Sequence, residues 1–458
     1  VKGDILVRFL FIALSLLLLP NLASAAEFHN LGLTGTERGI YSVLIFIIAY
    51  GFVMAEEFTH LRKSKPVILA AGIIWGHAAI LAHQAGVAPE EMHKVFEHNL
   101  TEYAELMLFL LVAMTYINSM AERNVFEALR SWLVRRQFGY RKLFLITGVI
   151  TFFLSAVADN LTAALLVGAV VMAVGADNPK FVSIGFVNLV VAANAGGAFC
   201  PFGDITTLMV WQAGYAEFFD FFKLFIPSAV NYGIPAAVMY FAVPDEQPLA
   251  SDEEAVKLKP GAIQICVLFL LTICTAVSFK QVLHLPPFMG MMTGLSVLML
   301  YGYYIKTQLR MEGEEGFDIF NKVRHAEWDT LLFFFGVVFA VGGLGYIGYL
   351  ELLSAGMYDG LGATTANILV GLISAIVDNI PVMFAVLNMN VDMDLYQWLL
   401  VTLTAGVGGS LLSVGSAAGV ALMGASNHKY TFFSHLKWTP AIAAGYVGSI
   451  VAHYLING

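Results

Sequence analysis

Ser155-Ala156-Val157-Ala158-Asp159-Asn160 decides the architecture of this 458-residue chain, because Ser374-Ala375-Ile376-Val377-Asp378-Asn379 repeats it in the second half. Each copy sits inside an apolar run, 141–175 and 364–390, and so places a carboxylate and an amide deep in a membrane. A charged side chain at the centre of a bilayer helix costs about 2.5–3.5 kcal/mol on insertion scales. A lipid-facing helix does not tolerate such residues at mid-length, so both runs read as re-entrant hairpins buried in protein.

Three further matches occur in the same order in both halves. Glu102-Tyr103 before Leu106-Met107-Leu108-Phe109 corresponds to Glu327-Trp328 before Leu331-Leu332-Phe333-Phe334. Gly72 and Gly76 correspond to Gly290 and Gly294, and both pairs read as close helix packing within a protomer or at a dimer contact. Gly196-Gly197 with Gly203 corresponds to Gly408-Gly409 with Gly415. The apolar runs near 40–56, 65–84, 103–120, 181–214 and 221–243 make five crossings around the first hairpin. Those near 262–280, 288–305, 328–349, 397–424 and 438–456 do the same around the second. Amphipathic pieces lie at 122–140 and 350–362. The expected fold is an all-α integral membrane protein with two inverted-topology repeats, 39–243 and 262–457, joined by a cytoplasmic linker at 244–261. Each repeat has five spans, a re-entrant hairpin and a broken helix. An odd number of crossings turns the second copy upside down, which is a transporter architecture with its site at the midplane.

Composition agrees. Hydrophobic residues make up 59% of the chain and charged residues 12%, with a mean hydropathy of +0.76, too little polar surface for a soluble domain. Lys2 and Arg8, the apolar run Phe9 to Leu19 and Ala23-Ser24-Ala25 make 1–26 a signal-peptide-like leader, with cleavage favoured over an uncleaved first helix. Basic residues at 62–65, 123–142, 257–259, 306–324 and 429–437 share one side, cytoplasmic if the mature N-terminus is periplasmic. Lys63 belongs to the first of these loops. No basic patch with interleaved aromatics suggests nucleic acid; membrane lipid is the expected surrounding. Cys200, Cys266 and Cys274 show no metal or disulfide spacing and read as inert thiols. The absence of a Walker loop, zinc signature or nucleophile elbow argues against an enzyme and against a bound cofactor, and leaves ion gradients as the energy source. Gly343-x-Gly345-x-x-Gly348 spells a dinucleotide fingerprint but lacks the strand–helix context.

The oxygen-bearing residues carry the chemistry. Ser155 and Ser374 precede their aspartates by four positions, which on a helix puts hydroxyl and carboxylate on one face. Hard oxygen clusters suit hard cations. The bland reading is that Asp and Asn merely cap half-helices, but neutral Ser or Asn would cap as well. In 181–214, the stretch Asn194 to Thr207 combines Pro201 with Gly196, Gly197 and Gly203, which interrupts a helix, and freed carbonyls can ligate a cation. Asp204 reads equally as a third titrating group or as an N-cap; its matched position is Ser416, and Ser413 and Ser416 supply hydroxyls in the other break. His77 reads as a hydrogen-bonded structural histidine rather than a pH sensor, His93 and His98 as solvated, and Asn188 and Asn231 as interhelical hydrogen-bonding residues.

The stretches SAVADNLTAALLVGAVV, NAGGAFCPFGDITTLMVWQAG and SAIVDNIPVMFAVL resemble the NhaD-type sodium/proton antiporters of the ion transporter superfamily. In the related dicarboxylate symporters the hairpin tips carry Ser-Asn-Thr, whereas here they carry Asp159-Asn160-Leu161 and Asp378-Asn379-Ile380. The resemblance implies sodium ligands at Ser155, Asp159, Asn160 and backbone near Gly203, and at Ser374, Asp378, Asn379 and backbone near Gly415. It also implies a homodimer with a scaffold and a moving transport domain. The expected activity is exchange of Na+ or Li+ for H+ across the bacterial inner membrane, with Asp159, Asp378 and Asp204 as proton-binding groups. The alternatives are a sodium-coupled organic-anion symporter and an arsenite-type exporter.

Overall fold

The structure is a computed structural model that describes residues 30–248, 255–311 and 318–458. The leader-like stretch 1–26 and part of the linker 244–261 lie outside the described residues. The chain divides into Val1–Asn30 and a large unit, Leu31–Gly458, to which all that follows refers.

Among the described residues there is no strand, and ten helices are long and apolar enough to cross a membrane. The chain is a multi-pass helical membrane protein. In the first half the principal helices are α1 (Glu37–Met54), α2 (Ser64–Gln84), α3 (Pro89–Glu122) and α4 (Val125–Arg135). They continue as α5 (Tyr140–Ala158), α6 (Asn160–Val174), α7 (Pro179–Gly197), α8 (Ile205–Ala213) and α9 (Phe225–Tyr240). The second half holds α10 (Ala262–Gln281), α11 (Pro287–Met311), α12 (Trp328–Ile347), α13 (Ala363–Ser374) and α14 (Asn379–Leu387). It ends with α15 (Leu395–Gly408), α16 (Ala417–Ala425) and α17 (Thr439–Asn457).

Several helix limits follow from local chemistry. Thr36 caps α1, its Oγ1 accepting from Gly39 N at 3.1 Å. Asn178 caps α7, which begins with Pro179 at its first position. α3 departs from expectation: it begins at Pro89 rather than near residue 103, so the polar stretch 89–102 continues the span and makes a 34-residue helix. Pro89 starts it, Glu90 and Glu91 favour its N-terminal dipole, and His93–Glu97 and His98–Glu102 pair one turn apart at 3.2 and 3.4 Å.

The core lies around α7 and α12, whose spans are 89% and 78% buried against 22% for α1. Their depth is made possible by close backbone approaches. A Cβ at Gly196 of α7 would lie 2.0 Å from Phe152 O of α5, and one at Gly408 of α15 would lie 2.1 Å from Gly371 O of α13. Gly290 of α11 likewise sits against Ala276 of α10, whereas no described residue lies within reach of Gly72 or Gly76. The two matched glycine pairs therefore do different jobs. Asn188 Nδ2 donates to Phe144 O at 2.9 Å, joining α7 to α5. Asn231 is buried but finds no hydrogen-bond partner among the described residues, contrary to its reading as interhelical glue. α17 meets α9 there through Gly445, which offers no side chain. His77 meets Ser42 Oγ at 3.0 Å between α2 and α1.

Candidate functional site

Three chain interruptions, between α5 and α6, α7 and α8, and α13 and α14, converge on one buried carboxylate, and a fourth, between α15 and α16, is linked to them through Asn194. The first hairpin turns at Asp159, which ends α5 and caps α6. Its Oδ1 accepts from Thr162 N at 2.9 Å and its Oδ2 from Thr162 Oγ1 at 2.7 Å. The second hairpin turns at 375–378, and Asp378 caps α14 with a single 3.5 Å bond from Ile380 N to Oδ1. Pro381 stands where the first hairpin has Thr162, so neither the amide nor the hydroxyl partner exists. The other oxygen of Asp378 faces Lys63 Nζ at 3.7 Å.

Asp204 is the hub. It caps α8, its Oδ1 accepting from Thr206 N at 3.1 Å. Asn160 Nδ2 donates to its Oδ2 at 2.9 Å, and Asn379 Nδ2 donates to its Oδ2 at 2.9 Å and its Oδ1 at 3.2 Å. The amides of both hairpin tips thus end on one carboxylate that is 4% exposed. The network extends further: Asn160 Nδ2 also reaches Asn194 Oδ1 at 3.1 Å, and Asn194 Nδ2 donates to Ser416 Oγ at 3.0 Å. Ser416 caps α16 as Asp204 caps α8. Capping, left open for Asp204 by its sequence, is real, and it coexists with the junction of both tips.

The remaining proposed ligands lie differently. Ser155 Oγ donates to Ala193 O at 2.6 Å and Ser374 Oγ to Ala405 O at 2.7 Å. Each hydroxyl is turned to the crossing helix, and the shared face expected with Asp159 or Asp378 does not form, because α5 and α13 stop before those aspartates. Gly203 and Gly415 bring the two breaks against the hairpin stems: an added Cβ would lie 2.9 Å from Ser155 O and 2.6 Å from Ala375 O, respectively. A cavity of about 60 Å³ is lined by Asp159, Asn160, Asp204, Asn379, Glu327 and Lys63, among others. Its wall carries the carboxylates of Asp159, Asp204 and Glu327 against the ammonium of Lys63, which lies 3.7 Å from Asp378. The buried Ser413 Oγ has no hydrogen-bond partner among the described residues.

Sequence reasoning assigned no site role to Lys63, Glu327, Thr162 or Lys280. Lys63 counted only as a loop charge, yet its ammonium lies between Asp378 and the ring of Phe333, 4.4 Å from the ring centroid. Lys280 holds the far end of α8, donating to Gln212 O at 2.9 Å and to Trp211 O. Beyond it, Tyr215 stacks on Trp398 at 3.8 Å. Lys63 and Asp378 are 315 positions apart, and no local pattern links them.

A family model described as citrate transporter matches residues 11–406. The chain is 54% identical to the Na+/H+ antiporter NhaD of Vibrio cholerae over 471 residues, covering 98% of each. It is 53% identical to the Na+/H+ antiporter NhaD of Alkalimonas amylolytica, covering 94% of each. The chain belongs to the NhaD sodium/proton antiporter family. Against the Na+/H+ antiporter NhaD of Halomonas elongata the identity is 52%, over 98% of this chain and 94% of that one. For this NhaD-family chain the three quoted motifs coincide with the elements that meet at Asp204: the first hairpin, the α7–α8 break and the second hairpin.

Proposed function

We propose that this protein exchanges Na+ or Li+ for H+ across the bacterial inner membrane, by competition of the two ions for Asp159, Asp204 and Asp378. The observation that carries the reading is the convergence of Asn160 and Asn379 on buried Asp204. Burial disfavours an ionised carboxylate and a bound cation favours it, so cation and proton displace one another at such a group. The amides suit either occupant. Each donates N–H to the carboxylate here, and turning about its last bond presents C=O to a cation instead. Carboxylate, amide, hydroxyl and backbone oxygens together form a hard-ligand set that fits a small alkali cation.

The names of the relatives support Na+ and H+; lithium enters as a second small hard cation. The citrate description of the family model favours a second reading, sodium-coupled organic-anion symport. The charge of the cavity opposes it, since three carboxylates on the wall repel an organic anion and Leu161 and Ile380 offer it no hydroxyl.

Two inverted repeats remain our architecture for this transport. Their support is the local likeness of the halves: the Gly196–Phe152 and Gly408–Gly371 crossings, the Ser155 and Ser374 bonds, and the paired caps. With the basic loops cytoplasmic, Lys63 and Glu327 put their wall of the cavity toward the inner side. A homodimer is part of the proposal, and the open face at Gly72 and Gly76 is its candidate contact.

Everted membrane vesicles with a pH-sensitive dye test the exchange. Sodium or lithium added without any organic anion should collapse the proton gradient, and Asp159→Asn, Asp204→Asn and Asp378→Asn should each abolish that response. A response only when an organic anion is supplied would establish symport instead. Full exchange in any one variant removes that residue from the site.

A further inference from the structure

We propose that Lys63 is a tethered cation that holds Asp378 in the sodium-free state and leaves it when the transported ion arrives. The inference rests on the assignment of Asp378 to the ion site and adds a competitor within the chain to the two competing ions.

The two hairpin aspartates are not equivalent. Asp159 has both oxygens engaged by Thr162, through uncharged donors that belong to the same helical turn. Pro381 denies Asp378 that arrangement. One oxygen is held weakly at 3.5 Å and the other turns to the Lys63 ammonium. At 3.7 Å this is an ion pair looser than a direct hydrogen bond. Both side chains are nearly enclosed, 16% and 12% exposed, so the charge of Asp378 is balanced mainly by Lys63 rather than by water.

The ammonium also has somewhere else to go. It lies over the face of Phe333, and a cation–π contact keeps its attraction while the carboxylate partner is exchanged. Lys63 lines the same cavity as Asp159 and Asp204, so an ion arriving there meets the ammonium at close range. Two positive charges at that spacing repel strongly in a poorly screened site. Sodium at Asp378 and Lys63 on Asp378 are therefore alternatives. A lysine suits this role better than an arginine, being a compact point charge on a flexible stem rather than a rigid bidentate fork. The consequence is that the charge of Asp378 stays balanced when no sodium is bound, and that Lys63 sets how tightly sodium is held.

Two measurements on the full-length transporter test this. In the wild-type protein, an amine-reactive reagent is applied in sodium chloride or in choline chloride at equal ionic strength, and labelling is read by mass spectrometry. Sodium should raise labelling of Lys63 while leaving exposed Lys306 unchanged. Labelling of Lys63 that does not respond to sodium overturns the proposal, and needs no variant to fold. In Lys63→Gln, measured at alkaline pH where protons compete least, the KM for sodium should fall about fivefold, the scale of one lost ion pair. Lys63→Arg should move it back. A KM unchanged or raised in Lys63→Gln overturns the proposal as well. Sodium-driven proton movement that persists in Asp378→Asn discards the site assignment itself. The same movement in the wild type, with Lys63 indifferent to sodium, discards only the tethered cation.

Discussion

Asp159 lies at φ 59°, ψ 161°, backbone territory open mainly to glycine. A non-glycine residue there stores on the order of 1–3 kcal/mol, and such strain concentrates at functional sites. Thr162 holds it in place through both carboxylate oxygens, and Asp378, without an equivalent of Thr162, adopts φ −43° instead. Asp159→Gly removes the strain and the carboxylate together. Glycine costs only a few tenths of a kcal/mol as an N-cap, so the variant should unfold thermally at a temperature no lower than the wild type while sodium-driven proton movement is lost. A marked fall in unfolding temperature would show that the Thr162 bonds, not the strain, dominate at this turn. The Ser-x-x-x-Asp-Asn repeat made the position of this residue plain from sequence. Its backbone conformation was not legible, because glycine-like geometry at an aspartate leaves no signature in composition.

At the scale of elements, α8 shows what could and could not be read in advance. Pro201 and Gly203 inside an apolar run announced the break, and Asp204 at its rim was recognised as a cap or a titrating group. The structure adds that α8 is held at both ends, by the site network at Asp204 and by the Lys280 ammonium on the carbonyls of Trp211 and Gln212. That second anchor was hidden because it joins a side chain of α10 to backbone groups of α8, and carbonyls have no sequence identity. The continuity of α3 was missed for a related reason: its charged first turns resemble a loop until the His–Glu pairs one turn apart are counted. Lys280→Met keeps the apolar stem and deletes the charged donor. Bonds from a charged donor contribute about 1.5–3 kcal/mol, so thermal unfolding in detergent should reveal a loss of that size. Amide hydrogen exchange should quicken across 205–213 and stay unchanged across α17. Uniform quickening would mean that Lys280 supports the whole molecule rather than this half-helix.

At the scale of the molecule, likeness of sequence between the halves does not carry likeness of surroundings. Gly72 and Gly76 match Gly290 and Gly294 in spacing, yet α10 packs directly over the second pair, while α1 packs on α2 without covering the first. The same substitution should therefore have opposite signs at matched positions. A Cβ at Gly290 would lie 2.5 Å from Ala276 Cα, a backbone atom that cannot step aside, so Gly290→Ala should cost about 1–3 kcal/mol as overpacking. Gly72→Ala meets nothing within 4 Å among the described residues and gains the helix preference of alanine, about 0.5–1 kcal/mol. Thermal unfolding of the two variants side by side reads this difference directly. If the open face is also where two protomers meet, Gly72→Leu and Gly76→Leu should lower the dimer fraction by light scattering in detergent while the protomer stays folded. A dimer that survives both substitutions moves the contact elsewhere on the surface, since a leucine at a close helix crossing forces the backbones apart.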